Sequence, residues 1–529
     1  MTSNRLRWLI ALWITLTANH SFWSLLFSIN GTETRALLFA GSLLVAITAL
    51  NALVLSILSP GRSIRVMLSL TLIVTAITSW FMDTYGVSID GDMLRNAVQT
   101  NPAEARDFIG WPLLWRVLWQ AGLPMLVIWK VTLPASTWLK SLRQFAINPV
   151  FSLVVLLTAA LPVYVSYASF FRNQQSAQHL IAPANIIRAS VKLGMKEIHS
   201  NIPYTVVGGD AKRNVSSHDK PLLTLFVVGE TARAANFSLG GYARETNPLL
   251  SKRDVLYFSN VHSCGTATAI SLPCMFSDLP RSEFNLSAAE HRDTVLDILQ
   301  RAGLHVEWID NQSGCKGVCA RTPYEQAEKY DPGLCSKGEC LDEELLRAMD
   351  RKLPEINADS VLFLHPMGSH GPSYYRRVPA EHTTFTPTCA TERIEKCTGE
   401  QIVNAYDNTI VYTDYILANL IDRLKQFQQQ FDTVLIYISD HGESLGEKGL
   451  YLHGEPYAIA PPFQKDVPML MWFSTGAAAR LSVDLGCLRN KLTQPFTHDN
   501  VSHTLLGLNG VSTSAYRPQL DILKTCRGG

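Results

Sequence analysis

Charge is what this chain has little of. Asp, Glu, Lys and Arg make up only 17% of its 529 residues, where an average soluble domain carries roughly 25%. Neither sign is in excess: 46 basic against 45 acidic residues give a net charge of +1. That balance argues against nucleic acid as a partner, because such binders displace counterions with a surplus of Lys and Arg. Cysteine is missing before residue 264, and no two of the ten that follow have the Cys-x-x-Cys spacing of a zinc knuckle.

The scarcity of charge is local. Residues 1–171 hold 17 charged side chains, whereas the remaining 358 residues hold 74. The first part has the composition of a membrane domain and the second that of a globular one. Apolar stretches long enough to cross about 30 Å of hydrocarbon lie at Trp8–Ile29, Ala36–Leu58, Val66–Met82 and Phe151–Phe171. A fifth, Ile109–Trp129, is interrupted by Arg116, Gln120 and Pro124. With a cytoplasmic N-terminus and five crossings, the inner side receives Arg5, Arg7, Arg62, Arg65, Lys130, Lys140 and Arg143, and the outer side Glu33, Asp83, Asp90, Asp92, Glu104 and Asp107. This is the positive-inside distribution. An odd number of crossings also delivers all ten cysteines to an oxidising compartment, where an even set in one polar domain reads as a disulfide framework.

Trp8 opens a span too long, and too lacking in a small-residue cleavage site, to be a removable signal peptide. Within it, Asn19 and His20 would line a pathway or pack at a helix interface. After the third span, Asn96, Thr100 and Glu104 recur at i, i+4 and i+8. On one continuous helix they share a face able to hold a cationic head group. Pro102 interrupts such a helix, which leaves a solvated loop as the alternative.

Three regions follow from these patterns: a five-helix membrane domain over 1–171, an amphipathic bridge and polar linker over 172–220, and a globular domain over 221–529. In the last, short β-branched runs alternate with helical patterns, as in a mostly parallel sheet covered by helices. The runs are Leu222–Val228, Val306–Ile309, Val361–Leu364, Val434–Ile438 and Met469–Phe473. Four of them end in polar residues: Glu230-Thr231, Asp310-Asn311, His365 with His370, and Asp440-His441. Open α/β sheets place their ligands at such carboxyl ends. Glu443 and His453 follow close behind, and the cluster is the carboxylate and imidazole set that zinc prefers. Any one of these residues alone reads equally as a satisfied structural group.

The segment 264–274, CGTATAISLPC, is rich in small hydroxyl residues and reads as a loop entering a helix N-terminus. A threonine there is either an N-cap or, activated by a metal, a nucleophile. A Cys264–Cys274 bridge would hold the turn rigid.

Four motifs carry a resemblance: VVGETARAANFSLGGYARETNP at 227–248, SCGTATAISLPCMFS at 263–277, HPMGSHGP at 365–372 and SDHGESLGEKGLYLHG at 439–454. Together they resemble the phosphoethanolamine transferases of Gram-negative inner membranes, a family that includes lipid A modifying and mobile colistin-resistance enzymes. The resemblance implies a five-span anchor and an α/β/α, alkaline-phosphatase-like, sulfatase-type domain in the periplasm. It implies that Thr268 is the nucleophile and that Glu230, Thr268, Asp440 and His441 bind zinc. His365, His370 and His453, with Lys316 and Glu443, would lie on the transferred phosphate or a second zinc, and Asn96, Thr100 and Glu104 on the lipid donor.

The implied reaction moves phosphoethanolamine from phosphatidylethanolamine to a lipid A phosphate through a phosphothreonine, lowering the negative charge of lipopolysaccharide. Acceptors on the core sugar, a related membrane phosphotransferase or hydrolase, or a non-catalytic anchored protein are the alternatives. Cys315 and Cys319 flank Lys316, a pair some relatives lack. Spacing suggests Cys335 with Cys340 and Cys389 with Cys397, and adjacency suggests Cys487 with Cys526, although sequence does not fix connectivity.

Overall fold

The computed structural model describes every residue except 32, 101–105, 107, 134–137, 199–202, 214–219, 337, 392–393, 395–396 and 529. The chain divides into two compact units, one of residues 1–97 and 108–195, the other of 98–107 and 196–529.

The first unit is helical: α1 Ser3–Thr17, α2 His20–Asn30, α3 Thr34–Leu58, α4 Ile64–Tyr85, α5 Gly91–Gln99, α6 Trp111–Val117, α7 Leu123–Lys130, α8 Trp138–Ala160, α9 Tyr164–Asn173 and α10 Ala184–Ile198. Among the described residues, α3 and α4 are long and apolar enough to cross a membrane. The bent pair α1–α2 adds a third crossing if taken as one span. Leu6, Ile10, Ile14, Leu55, Leu68 and Leu72 form the unit's core. Leu9, Leu38, Trp111, Leu126 and Val150 face outward, Leu38 at 70% exposure. Apolar side chains inside and outside alike mark a membrane domain.

Two expected spans differ in detail. The stretch Trp8–Ile29 is not one helix, since α1 and α2 meet at 57°. Asn19 fills the corner: its Oδ1 accepts the Ala182 N–H at 2.7 Å and its Nδ2 donates to the Ile14 carbonyl at 3.0 Å. Asn19 is therefore a packed interface residue, while the His20 side chain is 74% exposed. The stretch Phe151–Phe171 is displaced toward the N-terminus. Helix α8 already starts at Trp138, and a 3-10 turn, Leu161–Val163, separates it from α9. Pro162 in that turn has no N–H with which to continue the ladder.

The interrupted stretch 109–129 forms a near-continuous helix, α6 and α7 joined by a π-turn over Leu118–Gly122. Arg116 pairs with Asp83 at 2.8 Å, and the Gln120 side chain accepts the Ser79 hydroxyl at 2.9 Å. Pro124 cannot bond the Gln120 carbonyl four residues back, and the Trp13 indole N–H donates to that oxygen instead, at 2.8 Å. Helix α5 ends at Gln99, so Asn96 is helical and Thr100 lies in the following bend. Glu104 and Pro102 lie outside the described residues.

The second unit is built on a seven-stranded sheet: β1 Leu222–Gly229, β2 Leu256–Phe258, β3 His305–Asp310, β4 Tyr324–Gln326, β5 Ser360–His365, β6 Asp432–Ser439 and β7 Met469–Phe473. Their spatial order is β2-β7-β6-β1-β5-β3-β4. The five strands from β6 to β4 are parallel, and β7 pairs antiparallel with both β6 and β2. All eight residues of β1 are buried, which is why that central strand reads as an unbroken apolar run rather than an alternation. Trp308 stacks on Phe363 with centroids 5.6 Å apart, and Phe226 and Phe276 close around them. Each such ring contributes about 2–3 kcal/mol by burial. The helices include α11 Thr268–Met275, α12 Val295–Arg301, α13 Glu343–Lys352, α14 Gly399–Gln426 and α15 Asp499–Leu508. Helix α14 opens on a capping box between Thr398 and Gln401.

Candidate active site

Strand register assembles the site. In the parallel pair β1–β6, Gly229 lies opposite Ser439, so the next residues, Glu230 and Asp440, leave the sheet side by side. The Asp440 N–H donates to the Gly229 carbonyl at 2.8 Å. Asp440 Oδ1 in turn accepts the N–H groups of Thr231, at 3.0 Å, and His441, at 2.7 Å. Thr231 holds φ at +58°, a left-handed conformation costly for a β-branched residue. Tyr406 of α14 fixes it, donating its hydroxyl to the Thr231 carbonyl at 2.8 Å.

Thr268 is the first residue of α11 and is 4% exposed. Its Oγ lies 3.2 Å from both Glu230 carboxylate oxygens and 3.3 Å from His441 Nε2. Two further residues hold that helix to the sheet. The Ser271 hydroxyl donates to the Asp440 carbonyl. His498 Nδ1 accepts the Cys264 N–H at 3.1 Å, while its Nε2 donates to the Ser439 carbonyl at 3.0 Å. Gly442 completes the turn, because a Cβ there would lie 2.1 Å from the Phe463 carbonyl oxygen.

The donor set fits a divalent cation. Glu230, Asp440 and His441 are fully buried, with ligand atoms within 4.8 Å of one another. His441 Nδ1 donates to the Gly442 carbonyl at 2.9 Å, so Nε2 carries its lone pair toward Asp440 Oδ2, 3.3 Å away, and Glu230 Oε1, 3.6 Å away. Asp440 Oδ2 has no hydrogen-bond partner. Acceptors converging without protons in a buried space call for a positive charge. Burial first, then the Glu230 charge, push the Asp440 carboxyl up to about 6. A bound cation reverses that penalty, and a carboxylate and imidazole set of this kind suits zinc.

His365 is also fully buried. Its Nδ1 meets Asp310 at 2.9 Å, and its Nε2 faces Glu230 Oε2 at 3.6 Å. Burial alone would lower its pKa, but the two carboxylates outweigh it and raise it to about 9. His365 thus stands between two carboxylates, orienting Glu230. Nearer the opening, His453 lies 4.2 Å from His441 and 5.7 Å from His370 between ring centroids. His453 Nδ1 is 3.3 Å from Glu443, whose other oxygen accepts the Tyr374 hydroxyl at 3.2 Å. Burial lowers His370 to about 3 and His453 to about 4, and it raises Glu443 well above the carboxylate range. His370 Nδ1 is buried and unpaired.

Lys316 sits at φ +49° and donates its ammonium to Ser313, at 2.7 Å to the hydroxyl and 3.1 Å to the carbonyl. Asp310 Oδ2 anchors the start of that loop through the N–H groups of Gln312 and Gly314. The ten cysteines form five disulfides, Cys264–Cys274, Cys315–Cys319, Cys335–Cys340, Cys389–Cys397 and Cys487–Cys526.

Several supporting residues escaped the sequence reading. Ser271 lies inside the 263–277 motif but carried no signal to set it apart from its neighbours, and His498 has no motif and stands far along the chain from the groups it holds. Asp342 accepts from Asn311 and from the N–H groups of Met367 and Gly368, bracing the loop between His365 and His370. Its only sequence signal was a position just before a helix.

A parallel sheet whose strand ends carry a threonine beside a carboxylate and histidine ligand set defines an enzyme of the alkaline-phosphatase-like, sulfatase-type class. In agreement, the sulfatase family model matches residues 223–511, and the model described as phosphoethanolamine transferase EptA/EptB matches residues 47–198. The chain is 43% identical to the phosphoethanolamine transferase EptA of Escherichia coli strain K12 over 533 residues, covering 99% of this chain and 97% of that protein. It is 35% identical to the phosphatidylethanolamine transferase Mcr-1 of Escherichia coli, covering 97% and 96%. A solved structure, the integral membrane lipooligosaccharide phosphoethanolamine transferase A of Neisseria meningitidis, matches with a TM-score of 0.96 at 38% identity, covering 100% and 99%. The chain belongs to the phosphoethanolamine transferase family.

Proposed function

We propose that this enzyme moves phosphoethanolamine from phosphatidylethanolamine to a phosphate of lipid A through a covalent intermediate on Thr268. The carrying observation is the Thr268 oxygen, buried and within 3.3 Å of both Glu230 oxygens and His441 Nε2. In the first half-reaction the Thr268 Oγ–P bond forms and the P–O bond to glycerol breaks. The threonine proton is balanced by the one diacylglycerol takes up. In the second, an acceptor phosphate oxygen bonds to phosphorus as the Thr268 Oγ–P bond breaks, and the threonine oxygen takes up the proton that the acceptor phosphate gives up.

Glu230, Thr268, Asp440 and His441 would hold zinc, which when bound supplies a Lewis acid favouring the threonine alkoxide. Glu230 orients the Thr268 hydroxyl, and His365 with Asp310 orients Glu230. His370 and His453, with Glu443 behind His453, face the transferred group and relay protons. Lys316 and the N-terminus of α11 offset charge on the phosphoryl oxygens. Asn96, Thr100 and Glu104 serve the donor lipid. The membrane domain, residues 1–171, would cross the inner membrane five times, with 172–220 as bridge and 221–529 in the periplasm. The charge bias of the loops and the cysteines confined to the last region support this arrangement.

The test is intact-mass spectrometry of the purified protein incubated with phosphatidylethanolamine without acceptor. Wild type gains one phosphoethanolamine on Thr268, and Thr268→Ala gains none and transfers nothing. Transfer by Thr268→Ala at the wild-type rate refutes the assignment.

A further inference from the structure

We propose that Arg281, Tyr457 and Lys465 form an anion-binding platform that receives a phosphate of the acceptor. This inference rests on the transferase reading above and names how the same site takes its second substrate.

All three residues grip the loop that leads into Thr268. Arg281 Nη1 donates to the Cys264 carbonyl at 2.7 Å, and the Tyr457 hydroxyl donates to the Ser263 carbonyl at 2.9 Å. The Ser263 N–H donates to the Lys465 carbonyl at 2.7 Å. The Tyr457 ring joins the two cations: the Arg281 guanidinium carbon lies 3.3 Å from its centre and Lys465 Nζ lies 5.2 Å from it. Tyr457 is itself held beside the chemistry. The Gly454 N–H, next after His453, donates to the Thr266 carbonyl at 2.8 Å, and the Thr266 hydroxyl donates back to the Glu455 carbonyl at 2.6 Å. The platform thus borders both the nucleophile loop and the His453 loop, and all three side chains are half-buried.

Neither of these cations has a carboxylate of the described residues within ion-pair distance, although both lie beside the nucleophile loop. Arg233, Arg244, Arg253, Arg292 and Arg301 each pair with one. Among the described residues neither Arg281 nor Lys465 makes an ion pair. Asp466 meets His262 Nδ1 at 2.7 Å, and Asp499 accepts the main-chain N–H of Arg281 at 2.9 Å. The Arg281 side chain also hydrogen-bonds Tyr457 and feels the Asp499 charge. Lys465, whose ammonium lies over the Tyr457 ring, is therefore the cation most open to an outside anion, with Arg281 adding its charge beside it. The first half-reaction brings one phosphate diester to Thr268. The second must bring a more highly charged phosphate against the phosphothreonine already formed, and unpaired cations at the rim offset that repulsion.

The experiment separates the two half-reactions in full-length protein in detergent micelles. Adduct formation on Thr268 is followed with phosphatidylethanolamine alone, and complete transfer is followed with lipid A at varied concentration. Lys465→Gln and Lys465→Glu should form the adduct within about twofold of wild type, because Lys465 holds the nucleophile loop through its main-chain carbonyl only, while the acceptor KM rises about tenfold in Lys465→Glu. Lys465→Arg should keep the wild-type value. Added salt should raise the acceptor KM of wild type more than that of Lys465→Gln. Parallel losses in both half-reactions, a donor KM that rises with the acceptor KM, or an unchanged acceptor KM overturns the proposal. If wild type forms no adduct at all, the transferase reading fails. Direct binding of lipid A micelles to wild type and Lys465→Gln then decides the platform on its own, equal affinity refuting it.

Discussion

Asp440 shows how much one carboxylate is asked to do at the residue scale. Its Oδ1 is spent on two backbone N–H groups, and its Oδ2 is buried with no partner. Asp440→Asn keeps the first role and replaces the proposed metal ligand by a weaker neutral one. We expect zinc content, measured by elemental mass spectrometry after purification without chelator, to fall below half of wild type while the fold survives. Full metal occupancy in the variant would exclude Asp440 as a ligand. His498 is 0% exposed, and both its ring nitrogens hold backbone groups on either side of Thr268. His498→Ala leaves a buried N–H and a buried carbonyl unpaired, at about 1–3 kcal/mol each. It should lower the thermal midpoint and kcat together while zinc stoichiometry stays at the wild-type value; a kcat equal to wild type would remove His498 from the positioning of the nucleophile.

Elements explain why these residues meet. The register of β1 against β6 brings Glu230 beside Asp440, and the end of β5 beside that of β3 brings His365 to Asp310. Helix α14 then stabilises the turns behind the site. Its Asp414 accepts the N–H groups of Leu249 and Leu250, at 2.8 and 2.9 Å. Burial lifts its carboxyl from 3.8 to about 6. A carboxyl raised in the folded state binds its proton more tightly there than in the unfolded chain. Its contribution is therefore fully present below about pH 4 and is lost as pH rises through about 6, by up to about 3 kcal/mol. Asp414→Asn removes the ionisation but keeps an acceptor for only one of the two N–H groups, because Leu249 and Leu250 bond different carboxylate oxygens. That lost bond is a pH-independent cost, so the unfolding free energy of the variant relative to wild type should rise from pH 4 to pH 7.5, measured by denaturant titration in micelles. A constant difference across that range would show that Asp414 is not buried as a neutral acid.

At the scale of the whole molecule, two chemically different parts share one chain. One leaves apolar side chains on its outside, and the other closes its cysteines into five disulfides. A five-crossing topology puts the N-terminus and the C-terminus on opposite sides of the membrane. Alkaline phosphatase fused after residue 529 should be active and green fluorescent protein at the same point dark. The reverse pattern would mean an even number of crossings. The apolar runs could be found in sequence, but their ends could not. The bend at Asn19 depends on Ala182, and the helix through Pro124 depends on Trp13, partners far along the chain.

The sequence by itself determined the division into an apolar and a globular part, the confinement of all ten cysteines to the globular part and the central strands with their polar ends, because each is written in composition or local period. Motifs likewise marked Thr268, Glu230, Asp440 and His441. Only the tertiary structure decided which atoms face the site. It turned His365 into a brace between two carboxylates, tied Lys316 to Ser313, and brought in Ser271, His498 and Asp342. The physical reason is that hydrogen bonding is satisfied in space: a buried donor takes whichever acceptor the fold places within about 3 Å, and no spacing along the chain records that choice.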